Sequence, residues 1–397
     1  MRSARTGGYD GTWCRVGWTR FGSTVVLLGG VMPVHGVPVQ AQASGGSGPS
    51  PPRRVSIAAP VRPTLQRHAW YVYAVPTSEK LTGLKVTLIG AYLWRTALDG
   101  ATRPSTVFQH SAYTANHQLL IAFGGDLWAP QNSRNLNFQA VYSRFPAPFF
   151  GIGARTAQSA QELFTPRTVA LAVTAQREVR PHTYAQLGLQ LLHMAVGNLV
   201  PGGLLISHPI PGSTGYTTVA PEIGLVFDSR DHLFDPKSGA FIQGRVRVNL
   251  PPLGGSTGFQ LFSLDTRVYR SVRPGSVLAL EGAFAGAWGT VPFEELPQLG
   301  GSELRAYVYG RWRDRTALRA QIEWRQHAVW RFGAVAFVGA GAIGSAVGAL
   351  WSAPVRTTYG AGLRFNLSTK ENANFSMDYA RGQERANVVS FGFAEAF

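Results

Sequence analysis

The chain has 397 residues and a formal net charge of +16; charged residues are only 15%, aromatics 11%, and Gly (46) outnumbers Asp plus Glu (21). So little charge argues against a helical cytosolic enzyme, and so much Gly beside aromatics suits many short strands joined by tight turns. The basic excess is almost all arginine scattered along the chain, with no clustered patch, so no nucleic-acid partner is expected.

At the N-terminus, Arg2, Arg5, Arg15 and Arg20 precede an apolar stretch from Ser23 to Met32, and Ala41-Gln42-Ala43 follows as a small-x-small cleavage signature. The pattern predicts a secretory signal over 1–43, and Gly29, Gly30 and Pro33 argue against an ordinary helix there. Cys14, the single cysteine, falls inside this segment, so the mature chain is expected to be cysteine-free. Residues 44–67, rich in Pro, Gly and Ser, read as an extended periplasmic lead too short for a folded domain. Beyond it no run of 18 apolar residues occurs, so no helical membrane span is expected. The mean hydropathy of -0.01 fits strands that alternate lipid-facing and lumen-facing residues.

From His68 to the end, period-2 alternation recurs. Leu318, Ala320, Ile322 and Trp324 fall on one face, and Arg319, Gln321, Glu323 and Arg325 on the other. The same split separates Ile242, Val246 and Val248 from Gln243, Arg245 and Arg247, and Tyr359, Leu363 and Phe365 from Thr358 and Arg364. Links between strands alternate in length. Short ones fall at Val179–His182, Asp235–Gly239, Val272–Gly275, Trp330–Gly333 and Ser368–Asn372, and long ones at Pro146–Pro166, Val196–Tyr216 and Gly289–Arg315. Short periplasmic turns opposite long external loops are the habit of outer-membrane barrels. The pattern predicts an all-β, 16-stranded antiparallel transmembrane β-barrel over 68–397, with both termini in the periplasm.

Five stretches carry a resemblance to a known family: GLVFDSRDHLFDPKSGAF (224–241), PFEELPQLGGSELRAYVYGRWRD (292–314), LRAQIEWR (318–325), FVGAGAIG (337–344) and YGAGLRFNL (359–367). In order and spacing they resemble the BamA/TamA outer-membrane assembly family (the bacterial surface antigen type), and FFGIGART (149–156) looks like one of its loop segments. The resemblance implies a sixth external loop that folds back into the lumen. Its motif here is Gly300, Gly301, Leu304, Arg305, Ala306 and Tyr307, with Arg305 expected to dock on Glu323 of the next strand. Two positions depart from the pattern: Ala306 replaces the tip glycine, and Gly339, between Phe337 and Gly341, stands where the family commonly places an aspartate. One acidic ligand is therefore expected to be missing. The final segment, Phe391 to Phe397, is similar to the last strand that barrel-assembly machinery recognises, although Glu395 occupies a usually apolar position.

The resemblance implies insertion or translocation of proteins, or of lipid or surface components, at the outer membrane of a Gram-negative-type cell through a loop-plugged barrel. The implied partners are outer-membrane lipids and lipopolysaccharide and barrel-assembly machinery for its own insertion; because residues 44–67 cannot hold a POTRA domain, either a separate periplasmic partner supplies that function or the barrel works differently. The alternative is a passive porin-like channel for small solutes, anionic ones included. No HExxH, GxSxG, CxxC or Walker-type pattern occurs, so no enzyme activity and no cofactor are expected. Asp228, Asp231 and Asp235 lack the alternation and central glycine of a calcium loop, so no metal is expected either. The barrel is expected to close between the first and last strands at a weak seam. Pro76 should cut the first strand short, Gly392 should weaken the last, and Phe397 ends it.

Overall fold

The computed structural model describes residues 68–397 except 80–82, 98, 100–101, 234, 369–372, 394 and 396–397. The expected signal (1–43), the lead (44–67) and Phe397 lie outside the described residues. Sixteen long strands follow one another: β1 (His68–Glu79), β2 (Gly83–Trp94), β3 (Ser105–Thr114), β4 (Leu119–Trp128), β5 (Arg134–Arg144), β6 (Glu162–Arg180), β7 (Thr183–Gly197) and β8 (Tyr216–Asp228) come first. Then come β9 (Gly239–Asn249), β10 (Phe259–Arg273), β11 (Ser276–Gly289), β12 (Thr316–Val329), β13 (Phe332–Gly344), β14 (Arg356–Ser368), β15 (Ala373–Gly382) and β16 (Asn387–Phe393).

Each strand pairs antiparallel with the next in sequence, from β1 with β2 through to β15 with β16. Such a meander needs only short turns, and here the sheet curls into a barrel. Arg103, just before β3, ion-pairs with Asp228 at the end of β8 at 2.8 Å. Trp128 of β4, Tyr184 of β7, Val226 of β8 and Phe241 of β9 form one interior cluster. Strands that far apart in the sheet meet only if it is rolled.

The burial pattern is that of a membrane barrel turned inside out relative to a soluble core. Leu318, Ile322 and Trp324 of β12 are exposed, whereas Gln321, Glu323 and Arg325 between them are buried. Leu187, Leu189, Ile223, Leu225 and Tyr359 likewise face outward against buried Gln186, Gln190, Glu222 and Thr358. A continuous apolar exterior of this kind belongs in hydrocarbon, where the ladders between consecutive strands satisfy the backbone groups they join. At the periplasmic rim Trp330, Phe332 and Phe365 pack together, with Phe332 and Phe365 centroids 5.2 Å apart, as interfacial aromatics do.

Two expectations need correction. Pro76 does not end β1, which continues to Glu79 with Pro76 opposite Val86. Among the described residues no ladder joins β1 to β16, so β1 has one edge without a strand partner, the setting in which a proline is tolerated. The link between β8 and β9 is longer than the expected Asp235–Gly239 turn, spanning 229–238. It closes on Asp231, whose Oδ1 accepts the backbone N–H groups of His232, Lys237 and Ser238. A side-chain acceptor replaces the missing ladder bonds of the turn.

Candidate functional site: a loop held inside the lumen

The sixth external loop, residues 290–315, runs back into the barrel instead of out from it. It starts from a two-stranded stub, Gln298 and Leu299 against Trp312 and Arg313. Gly300 and Gly301 take φ of 111° and 72°, and a Cβ at Gly300 would sit 2.0 Å from the Val308 carbonyl oxygen. Only glycine fits that bend. Gly301 N–H then donates to the Tyr307 carbonyl at 2.9 Å, closing the tip Leu304-Arg305-Ala306-Tyr307. Ala306 holds φ at 86°, a conformation costing an L-residue about 1–2 kcal/mol. Its methyl group packs with Val335, Phe337 and Ala380, which offsets part of that strain.

Arg305, 8% exposed, reaches the wall formed by β12, β13 and β15. Its Nη1 donates to Glu323 Oε2 at 2.8 Å and to Asp378 Oδ2 at 3.2 Å, and its Nε to Gln321 Oε1 at 3.3 Å. The guanidinium lies over the Phe337 ring, 3.4 Å from its centroid. Charge-assisted hydrogen bonds and a cation–π contact thus converge on one cation taken out of bulk water. The acidic ligand expected to be missing at Gly339 is supplied instead by Asp378, two strands further on. Gly339 leaves room for its neighbours: a Cβ there would sit 2.9 Å from Gln321 Cγ.

The wall behind Arg305 is a continuous ionic network. Arg325 Nε donates to Glu323 at 2.9 Å, Arg364 Nη1 to Asp378 at 2.5 Å, and Arg364 Nε to Glu395 at 2.7 Å. Asn374 donates to the other Glu395 oxygen at 2.8 Å. Three arginines face three carboxylates, so the buried cluster is neutral in sum, which is what makes burying it tolerable. Gly362 admits the pair at its centre, since a Cβ there would lie 1.9 Å from Asp378 Oδ1. The usually apolar position held by Glu395 is polar because it points at Arg364 inside the barrel. Sequence reading placed Arg364 on one face of its strand with Thr358 but did not join Asp378 to Arg305; nothing in strand parity reports a contact across three strands.

Outside the clasp, the loop is tied to its neighbours. Leu304 is fully buried with Leu299, Tyr307, Trp312 and Ile343. Gly341 lets that cluster approach the wall, a Cβ there falling 3.0 Å from Leu299. Tyr307 Oη donates to the Thr357 carbonyl and accepts the Gln383 N–H, both at 2.7 Å. Burial pushes its hydroxyl above the ordinary value, which keeps it a neutral donor. Arg311 and Arg356 stack on Trp312, 4.6 and 4.4 Å from its ring, and both reach Glu384 of the eighth loop, at 3.3 and 2.9 Å. The FFGIGART segment caps them: Arg311 donates to Thr156, Arg356 to the Ala154 carbonyl, and Gly153 N–H to the Arg313 carbonyl. Sequence matching singled out this segment without assigning it a contact.

The remaining predicted residues lie elsewhere. Gly392 stands opposite Ser376 in the last ladder, and Pro76 in the first. Asp228 receives a two-point bond from Arg230 at 2.9 Å for each oxygen and an ion pair from Arg103, while Asp231 closes its turn. Burial raises the Asp235 carboxyl above the ordinary value, with Glu395 adding to the effect.

No curated protein matches the chain. Among solved structures, BamA of Haemophilus ducreyi lacking POTRA domains 1–3 is similar at 14% identity and a TM-score of 0.54, covering 83% of this chain and 70% of that one. CdiB of Acinetobacter baumannii is similar at 10% identity and a TM-score of 0.51, covering 83% of this chain and 59% of its own. CdiB of Escherichia coli follows at 14% and 0.53, covering 80% and 59%. The present chain thus spans under two thirds of either CdiB structure, and these likenesses speak to fold. The Omp85 superfamily domain matches residues 114–397, which takes in β4 to β16 and the whole clasp. With that match over a sixteen-stranded barrel whose exterior is apolar, the chain belongs to the Omp85 superfamily and is a Gram-negative outer-membrane barrel protein.

Proposed function

We propose that the chain inserts or translocates proteins, or lipid or surface components, at the outer membrane, with the sixth loop as a reversible plug locked by Arg305 on Glu323 and Asp378. The observation that carries this reading is the charge-balanced seating of Arg305 inside the lumen. A passive pore needs a lumen left open by its loops, which a sixth loop drawn inward and held by buried ion pairs restricts. A barrel that must stay shut until substrate arrives needs such a hold, strong enough to persist and specific enough to be undone. The reading requires outer-membrane lipid and lipopolysaccharide around the wall, barrel-assembly machinery for the chain's own insertion, and a separate periplasmic partner. It also assigns a role to the junction of β1 and β16, where backbone without a strand partner would accept a substrate strand by augmentation.

Single-channel recording of the wild-type chain in planar bilayers tests the plug. Small, flickering currents are expected; a large steady conductance would favour the porin-like channel instead.

A further inference from the structure

On the external face, a cavity of 460 Å³ opens between the third, sixth and seventh loops, the last of these spanning 345–355. Its walls include Ile152, Arg155, Asp314, Ile343, Ser345 and Pro354. Its size falls within the range of about 300–1,000 Å³ typical of small-molecule sites. Its third-loop wall is the FFGIGART segment, whose Thr156 also ties down Arg311 of the sixth loop and whose Ala154 holds Arg356, but the interior of the cavity has no part in those bonds. Asp314 is 8% exposed, and its Oδ1 accepts the N–H of the adjacent Arg315 at 2.8 Å. Among the described residues it makes no ion pair. Burial raises its carboxyl above the ordinary value, outweighing the Arg315 N–H and charge that favour the ionised form.

We propose that this cavity binds a saccharide, with Asp314 accepting hydrogen bonds from its hydroxyl groups. The surroundings select among ligand classes. Charges of both signs line the cavity, Asp314 and Arg155, so a ligand of single net charge meets one repulsive group whichever its sign, whereas a neutral polar ligand meets none. A purely apolar ligand would leave the buried carboxylate unsatisfied. A sugar presents hydroxyl donors and acceptors on its rim and C–H groups on its faces. The cavity supplies the complement: the Asp314 acceptor, the Ser345 hydroxyl, the Arg155 guanidinium, and an aliphatic wall of Ile152, Ile343 and Pro354. Arg155 Nη2 also donates to the Ser352 carbonyl at 3.4 Å, bridging the third loop to the seventh at the rim. Beside that rim Trp351 is 89% exposed, a large aromatic face in water that a second sugar ring would cover. The cavity opens on the cell exterior, where such sugars come either from lipopolysaccharide or from free oligosaccharide.

The test uses the full chain in a detergent without a sugar headgroup, titrated separately with lipid-free core oligosaccharide cleaved from lipopolysaccharide, with intact lipopolysaccharide and with maltose, followed by calorimetry. Saturable binding of the core oligosaccharide assigns the lipopolysaccharide sugars as the source, and binding of maltose alone assigns free saccharide. In either case Asp314→Ala should weaken binding about tenfold, and the isosteric Asp314→Asn about threefold. Trp351→Ala should weaken it by a similar threefold factor, and Ala349→Trp, which fills the cavity, should abolish it. All four variants should keep the wild-type heat-modifiable mobility, so loss of binding is separable from loss of fold. No saturable binding by any of the three probes overturns the proposal. So does binding, including that of intact lipopolysaccharide alone, that survives both Asp314→Ala and Ala349→Trp.

Discussion

Across the lumen from the clasp, β6 to β9 carry a second polar network, in which the amides Gln176, Gln186 and Gln243 adjoin the Glu222 carboxylate and its partners Arg245 and Arg247. Gln186 Oε1 accepts from Gln176 and from Gln243, each at 3.0 Å, and Gln186 Nε2 donates to Glu222 at 2.7 Å. These four residues sit on successive strands already tied by backbone ladders, so the side chains repeat a neighbourhood that the backbone has fixed. On β12 to β15 the polar groups are charged. They hold a loop tip, Arg305, that no strand ladder brings to that place, together with Glu395 just beyond the end of β16. Neutral hydrogen bonds contribute about 0.5–1.5 kcal/mol each and charged ones about 1.5–3 kcal/mol. Ion pairs occur on both walls, but only at the clasp do they reach a loop tip that the ladders leave free to move away, Arg305 on Glu323 and Asp378.

The largest expected effect follows from that asymmetry. Glu323→Ala leaves both Arg305 and Arg325 without their shared carboxylate in a fully buried position and should cost about 3–5 kcal/mol. Gln186→Ala on the amide wall should cost about 1–3 kcal/mol. Urea titrations of the folded band on unheated gels measure both, and equal midpoint shifts would erase the difference between the walls.

How much of this was legible beforehand depends on range. The strand count and the lumen parity of Glu323 follow from period-2 patterning and turn length, which are local, whereas the inward fold of the sixth loop was implied only by the family resemblance. The partnership of Arg305 with Asp378 depends on registers accumulated over three strand pairings, and no spacing along the chain encodes it. Glu395 looked like a departure from the pattern because its partner, Arg364, lies 31 residues away. The length of β1 was misjudged because Pro76 was read as a stop, when an edge without a strand partner lets it stay in the strand.

A smaller effect is expected outside the lumen. Glu384 is half exposed, so its bridges to Arg311 and Arg356 should contribute only about 0.2–1 kcal/mol. Glu384→Ala should make the sixth loop more accessible to proteinase K in dilute buffer and no different from wild type at about 1 M salt, where the Debye length is near 3 Å. A salt-independent effect would mean that Glu384 holds the loop by shape. Smaller again is Ala306→Gly. Relief of about 1–2 kcal/mol of strain is set against a buried methyl of about 0.8 kcal/mol and glycine's extra entropy of about 0.5–1 kcal/mol. Loop protection should therefore change by no more than about threefold, and a large change either way would mean that one of these terms is misjudged.

The central claim is that Arg305 and Glu323 act as one lock. Single-channel conductance of the wild type, Arg305→Ala, Glu323→Ala and the double variant tests it most directly, with Gln186→Ala as the control from the opposite wall. The expected result is a raised conductance in each single variant, no further rise in the double, and a wild-type value for Gln186→Ala. Independent increments that sum in the double variant, or a rise in Gln186→Ala as large as in Arg305→Ala, would contradict it.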